Sequence, residues 1–103
     1  MQRYDSAERA YREALKIQPQ HKESLNNLGF LYLQRQQYDL ARQYISYALQ
    51  QDPDYLLAWL NLANLELMIP NETAARKALK EALRLNPEHA KALAALKYLN
   101  SIN

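Results

Sequence analysis

Proline stands at positions 19, 53 and 87, an interval of 34 residues taken twice, and much of the rest of the chain keeps that interval. Self-similarity at a fixed period of this length marks a small supersecondary unit that cannot bury its apolar face alone and stacks against copies of itself. The architecture must therefore be a row of equivalent units, here pairs of helices.

The beat runs deeper than the prolines. With Lys22 and Leu56 each counted as position 1, position 4 is Leu25 then Trp59, and position 7 is Leu28 then Leu62. Position 8 is Gly29 then Ala63, position 20 Ala41 then Ala75, position 24 Ile45 then Leu79, and position 27 Ala48 then Ala82. A helix turns about 100° per residue, so positions 4, 7, 8 and 11 share one face. Large side chains at 4, 7 and 24 fill a core, and small ones at 8, 20 and 27 sit where helix backbones approach. Gly29 is the only glycine in the chain. It falls at such a crossing, where the mid-helix cost of about 1 kcal/mol against alanine points to packing that demands a minimal side chain, although Ala63 does the same job one repeat on.

This order of large and small positions resembles the tetratricopeptide repeat family across the whole chain. The resemblance implies an all-α solenoid of antiparallel helix pairs, about six helices in one domain. Residues 1–21 fit the second helix of an incomplete repeat, with Tyr4, Ala7, Tyr11, Ala14 and Pro19 in phase. Residues 22–55 and 56–89 are full repeats, and 90–103 form a C-terminal capping helix through Leu93 and Leu96. The expected helices lie near 2–18, 22–35, 38–51, 54–68, 72–85 and 88–101. Asp52-Pro53 and Asn86-Pro87 read as N-cap and first-turn proline of the next helix, and Pro70 with Asn71 breaks the second repeat between its helices. A start halfway through a repeat points to an excerpt from a longer protein.

The 103 residues contain no cysteine and carry a net charge of +2. Disulfide scaffolds and thiolate metal sites are thereby excluded. No apolar run approaches the roughly 18–20 residues of a membrane span, and no secretory signal is present, so membrane insertion is not expected. The compartment stays open, with the cytoplasm favoured over the periplasm. The charge is too small to imply nucleic acid, and the ridge Arg76, Lys80 and Arg84 reads as a solvated outer face softened by Glu72, Glu81 and Glu88.

Nothing in the chain looks catalytic. His21 and His89 are 68 residues apart, two full periods, and so occupy equivalent turns where Tyr55 fills the middle copy. The acids are scattered, and neither a glycine-rich phosphate loop nor a nucleophile motif exists. No enzyme, no cofactor and no metal site is expected.

The informative surface is the inner one. Positions 2, 5, 6, 9, 12 and 13 of the first helix point roughly 150° away from the core face. They are Glu23, Asn26, Asn27, Phe30, Leu33 and Gln34, then Leu57, Leu60, Asn61, Asn64, Leu67 and Met68. The last helix adds Lys91, Ala94, Ala95 and Tyr98. In a tetratricopeptide stack these faces line a concave groove, and so much apolar surface in one place marks an interaction site. The expected peptide-binding set is Asn27, Phe30, Gln34, Leu57, Leu60, Asn61, Asn64, Met68, Lys91 and Tyr98. Asn27 and Asn61 share position 6 and resemble the asparagine ladder of O-linked N-acetylglucosamine transferase, although Ala95 replaces the third rung. Lys91 matches one basic place of the carboxylate clamp that holds acidic chaperone tails, but Asn26, Leu60 and Ala95 occupy others. An apolar-plus-amide groove for an extended or helical hydrophobic peptide is the expectation.

Ends matter in a solenoid. Lys97 at position 8 of the last helix gives that end a wet outer face, whereas Tyr4, Ala7 and Tyr11 on the first helix lack the helix that should precede them. They are candidates for self-association, which would give a homo-oligomer through the N-terminal helix. Three functions follow: a peptide-binding scaffold first, a self-assembly module second, and the recognition arm of a larger enzyme third.

Overall fold

The computed structural model describes residues 2–102 and contains six helices, α1 (Gln2–Ile17), α2 (Lys22–Gln34), α3 (Tyr38–Gln51), α4 (Leu56–Met68), α5 (Glu72–Leu85) and α6 (Ala90–Ser101). No strand occurs among the described residues. Each helix packs on the next, and α2 also touches α4 directly. The stack measures 43 × 27 × 19 Å.

The repeat positions do what their sizes demand. Ala41, Ala48, Ala75 and Ala82 are fully buried, as are Leu28 and Ile45. At the crossing of α2 and α3, a Cβ added to Gly29 would stand 2.6 Å from Ile45 Cγ1, 3.1 Å from the Ile45 nitrogen and 3.2 Å from the Ala41 carbonyl oxygen. Two of those three atoms are backbone, so the crossing has no room to widen without moving a helix. Ala63 occupies the same position in the next repeat, so α4 and α5 accept one more carbon than α2 and α3 do.

The turns correct one expectation. Asp52 and Asn86 close α3 and α5 as C-caps, and they do not open the helices that follow. Asp52 Oδ1 accepts from the Asp54 amide at 3.0 Å, and the Asp52 carbonyl accepts from Tyr55 N at 3.1 Å. That is a turn with proline at its second position, the place where a fixed φ is most useful. Asn86 repeats it, accepting from Glu88 N at 3.3 Å through its side chain and from His89 N at 3.1 Å through its carbonyl. The N-caps fall three residues later, at Tyr55 and His89, with His21 in the first copy. His21 and His89 each use Nδ1 to accept a backbone amide at 3.2 Å, from Ser24 and Ala92. Asn71, by contrast, caps α5 in the ordinary way by accepting from Ala74 N.

The first helix, α1, packs on α2. Tyr4, Ala7, Tyr11 and Leu15 are half-buried and pack against the cluster that contains Leu28, Leu31, Tyr32 and Leu33. The apolar stripe of α1 lies down on the helix that follows it, so much of the face assigned to self-association is already engaged within the chain. Polar bonds reinforce the seam. Glu8 accepts from the Tyr32 hydroxyl at 2.7 Å, from Arg35 at 2.8 Å and from Arg12 at 3.0 Å. The Arg35 guanidinium also lies over the Tyr4 ring.

Candidate functional site

The first helices of the two full repeats, α2 and α4, meet directly, and their free faces make one surface. Between α4 and α6 this surface deepens into a cleft of about 270 Å³. Leu57, Leu60, Ala63, Leu67, Leu79, Ala92 and Ala95 give it an apolar floor, and Asn61, Asn64, His89 and Lys91 supply the polar groups at its edge. Five residues of the expected set, Leu57, Leu60, Asn61, Asn64 and Lys91, therefore line one cavity. The other five lie outside it. Asn27, Phe30 and Gln34 are exposed on α2, Met68 at the end of α4, and Tyr98 on α6.

Two residues assigned to the inner face are elsewhere. Asn26 is 2% exposed and Leu33 is 4% exposed, Leu33 forming part of the core beneath α1. Positions 5 and 12 of the repeat turn toward the neighbouring helix, and in α4 the equivalent Leu60 and Leu67 are half-buried as well. A first helix in a stack has contacts on three sides, so its open face is narrower than the 100° rule alone indicates.

The polar cluster behind the groove was not legible beforehand. Asn61 donates through Nδ2 to Asn26 Oδ1 at 3.0 Å, joining α4 to α2. Asn26 also lies beside Tyr55, and burial pushes the Tyr55 hydroxyl above its ordinary pKa. The Lys22 ammonium lies 4.9 Å from the centre of the Tyr55 ring and pairs with Asp52. That pairing raises the Lys22 pKa and holds the Asp52 carboxyl below the usual carboxylate range. The asparagine doublet Asn26-Asn27 was the available signal, but a doublet does not say which member faces inward.

The remaining charged features are internal. Arg84 pairs with Asp54 at 2.9 Å and with Glu81 at 3.2 Å, and Arg76 donates to the Leu99 carbonyl at 2.7 Å. Two of the three cations on the outer ridge are therefore engaged in binding the chain to itself. No cluster of metal-ligating side chains is found among the described residues, and none of their helices is long and apolar enough to cross a membrane.

Paired helices stacked in register around a concave amide-and-leucine cleft define a solenoid-type interaction module. The family model for the tetratricopeptide repeat matches residues 1–55 and 31–90, and the chain belongs to that family. No curated protein matches it at the sequence level. Among solved structures, MamA is 30% identical with a TM-score of 0.86, the match covering 95% of this chain and 57% of MamA. The O-GlcNAc transferase of Thermobaculum terrenum is 29% identical with a TM-score of 0.82, over 89% of this chain but only 18% of the transferase. The first repeat domain of Spaghetti (RPAP3), bound to an HSP90 peptide, has a TM-score of 0.90 at 18% identity, over 96% of this chain and 80% of that one, a likeness of fold.

Proposed function

We propose that the chain is a non-catalytic scaffold that holds a segment of a partner protein in the concave groove between α4 and α6. The observation that carries this reading is the gathering of Leu57, Leu60, Asn61, Asn64 and Lys91 around one cavity. Leu57 in the cavity is 56% exposed, and Met68 at the end of α4, outside it, is 52% exposed. Exposed apolar area of this extent, with amides at its margin, suits a peptide whose side chains are buried while its backbone is hydrogen-bonded. Related folds hold peptides, as the Spaghetti domain with its HSP90 peptide illustrates. Here the groove has a single lysine among its lining residues and no arginine, so a neutral apolar segment fits better than an acidic tail. Affinity capture with wild type and with Leu60→Asp or Asn64→Ala tests the reading. Binding should fall in both variants while the melting temperature of Asn64→Ala stays unchanged. Capture that is indifferent to both substitutions would remove the groove from consideration.

Self-assembly is the second reading, favoured by exposed Leu93, Tyr98 and Ile102 on and beside α6. Leu93→Ser with Ile102→Ser should then lower the mass seen by light scattering and leave peptide capture intact. Joined to a catalytic domain, the same groove would serve as a recognition arm.

A further inference from the structure

We infer that Asn26 is a positioning residue of the groove: by holding the amide of Asn61 it makes that side chain, and not Asn27, the fixed point against which a bound peptide backbone is aligned. This rests on the groove reading above and adds a residue that lies behind the cleft.

The two position-6 asparagines are equivalent in sequence and differ in structure. Asn27 is exposed, and its amide enters no hydrogen bond among the described residues. Asn61 is half-buried at the cleft edge and is tied to Asn26 Oδ1 at 3.0 Å. Asn26 is itself held in place, because it is 2% exposed between α2 and α4 and lies beside the Tyr55 side chain. Tyr55 in turn lies under the Lys22 ammonium, which pairs with Asp52 at the end of α3. An amide has one acceptor oxygen and two N–H donors. With one N–H of Asn61 engaged by Asn26, its carbonyl and second N–H remain for a ligand in a fixed orientation. A free amide such as Asn27 must lose rotamer freedom when it grips a backbone, whereas Asn61 has already lost it. The tethered rung therefore sets the register of the peptide, and the free rung adapts to it.

The test uses the intact chain and end-capped decapeptides selected on it from a random pool free of Asp and Glu. Asn26→Leu should weaken the selected peptide about tenfold, the effect of one lost hydrogen bond. Asn27→Ala should weaken it less than about threefold. Asn26→Asp keeps an acceptor facing Asn61 and should restore most of the affinity. In NMR spectra of the free protein, the Asn61 side-chain amide protons should be shifted and protected, and Asn26→Leu should abolish both effects. If Asn26→Leu does not fold, the parent spectrum and Asn26→Asp carry the test, and solvent-averaged Asn61 amide signals would overturn the inference. Selected peptides that bind Asn26→Leu as tightly as wild type would overturn it while leaving the groove intact. A pool that yields no binder would overturn the groove reading, and this inference with it.

Discussion

Arg42 of α3 and Glu66 of α4 stand 24 residues apart and meet in a bidentate pair, Nε to Oε2 at 3.2 Å and Nη2 to Oε1 at 2.9 Å. The same offset recurs at each junction between repeats. Glu8 accepts from Tyr32 across α1 and α2, and Arg76 donates to Asn100 across α5 and α6. Position 21 of one repeat thus always reaches position 11 of the next, but with a different chemical pair each time. The backbone repeat is uniform while the polar junctions are individual, which discriminates correct stacking from a slip by one whole repeat.

The Glu66 side chain is 6% exposed and that of Arg42 is 36% exposed. Arg42→Ala leaves a buried carboxylate without its partner and should cost about 2–3 kcal/mol, at the lower end for a broken buried pair because water reaches the site. Glu66→Gln keeps one acceptor for the guanidinium and should cost about 1 kcal/mol. Urea denaturation of both variants checks the order. Equal losses would mean that the pair behaves as a surface contact.

Gly29 offers a contest between propensity and space. Alanine in a helix interior is favoured over glycine by about 1 kcal/mol, yet its Cβ would sit 2.6 Å from Ile45 Cγ1 with backbone atoms close behind. Space wins: Gly29→Ala should lower the melting temperature, and Gly29→Leu should destabilise by about 1–3 kcal/mol through overpacking. Thermal unfolding followed by circular dichroism decides it, and a more stable Gly29→Ala would show that α2 and α3 can separate freely.

The histidine caps make a third case. His21 and His89 each accept a backbone amide through Nδ1 at the start of α2 and α6. Removing such an acceptor typically costs about 1 kcal/mol. His21→Ala and His89→Ala should therefore each destabilise by about that amount, whereas His21→Asn and His89→Asn should not. Denaturation midpoints for the four variants measure this directly.

These cases separate what the sequence carried from what it did not. The 34-residue period placed all six helices, because burial of positions 8, 20, 24 and 27 follows from spacing and size alone. It misplaced the helix starts, because Asp52-Pro53 and Asn86-Pro87 suit a turn as well as a cap, and only the backbone bonds to Tyr55 and His89 decide. It also assigned Asn26 to the groove, since a single-helix projection contains no neighbouring helix. Glu66 reads as a surface acid until Arg42, a full 24 positions earlier, is brought against it.

Glu8 sets the pH dependence at the first junction. The Tyr32 hydroxyl above all, with Arg12 and Arg35, holds its carboxyl below the usual carboxylate value of 4.5 against the opposing effect of burial. A carboxyl whose pKa is lower in the folded chain adds stability above its unfolded value and loses it as pH falls through the folded one. The α1–α2 seam should therefore keep its full strength at neutral pH and weaken progressively below about pH 4.5. Glu8→Gln cannot titrate, so it should flatten that part of the stability curve while lowering stability at pH 7. Hydrogen exchange of α1 amides between pH 3 and pH 6, corrected for the intrinsic rate, reports the seam locally. Protection that falls equally in wild type and Glu8→Gln would place the acid-sensitive group elsewhere, with Asp52 and its Lys22 partner next in line.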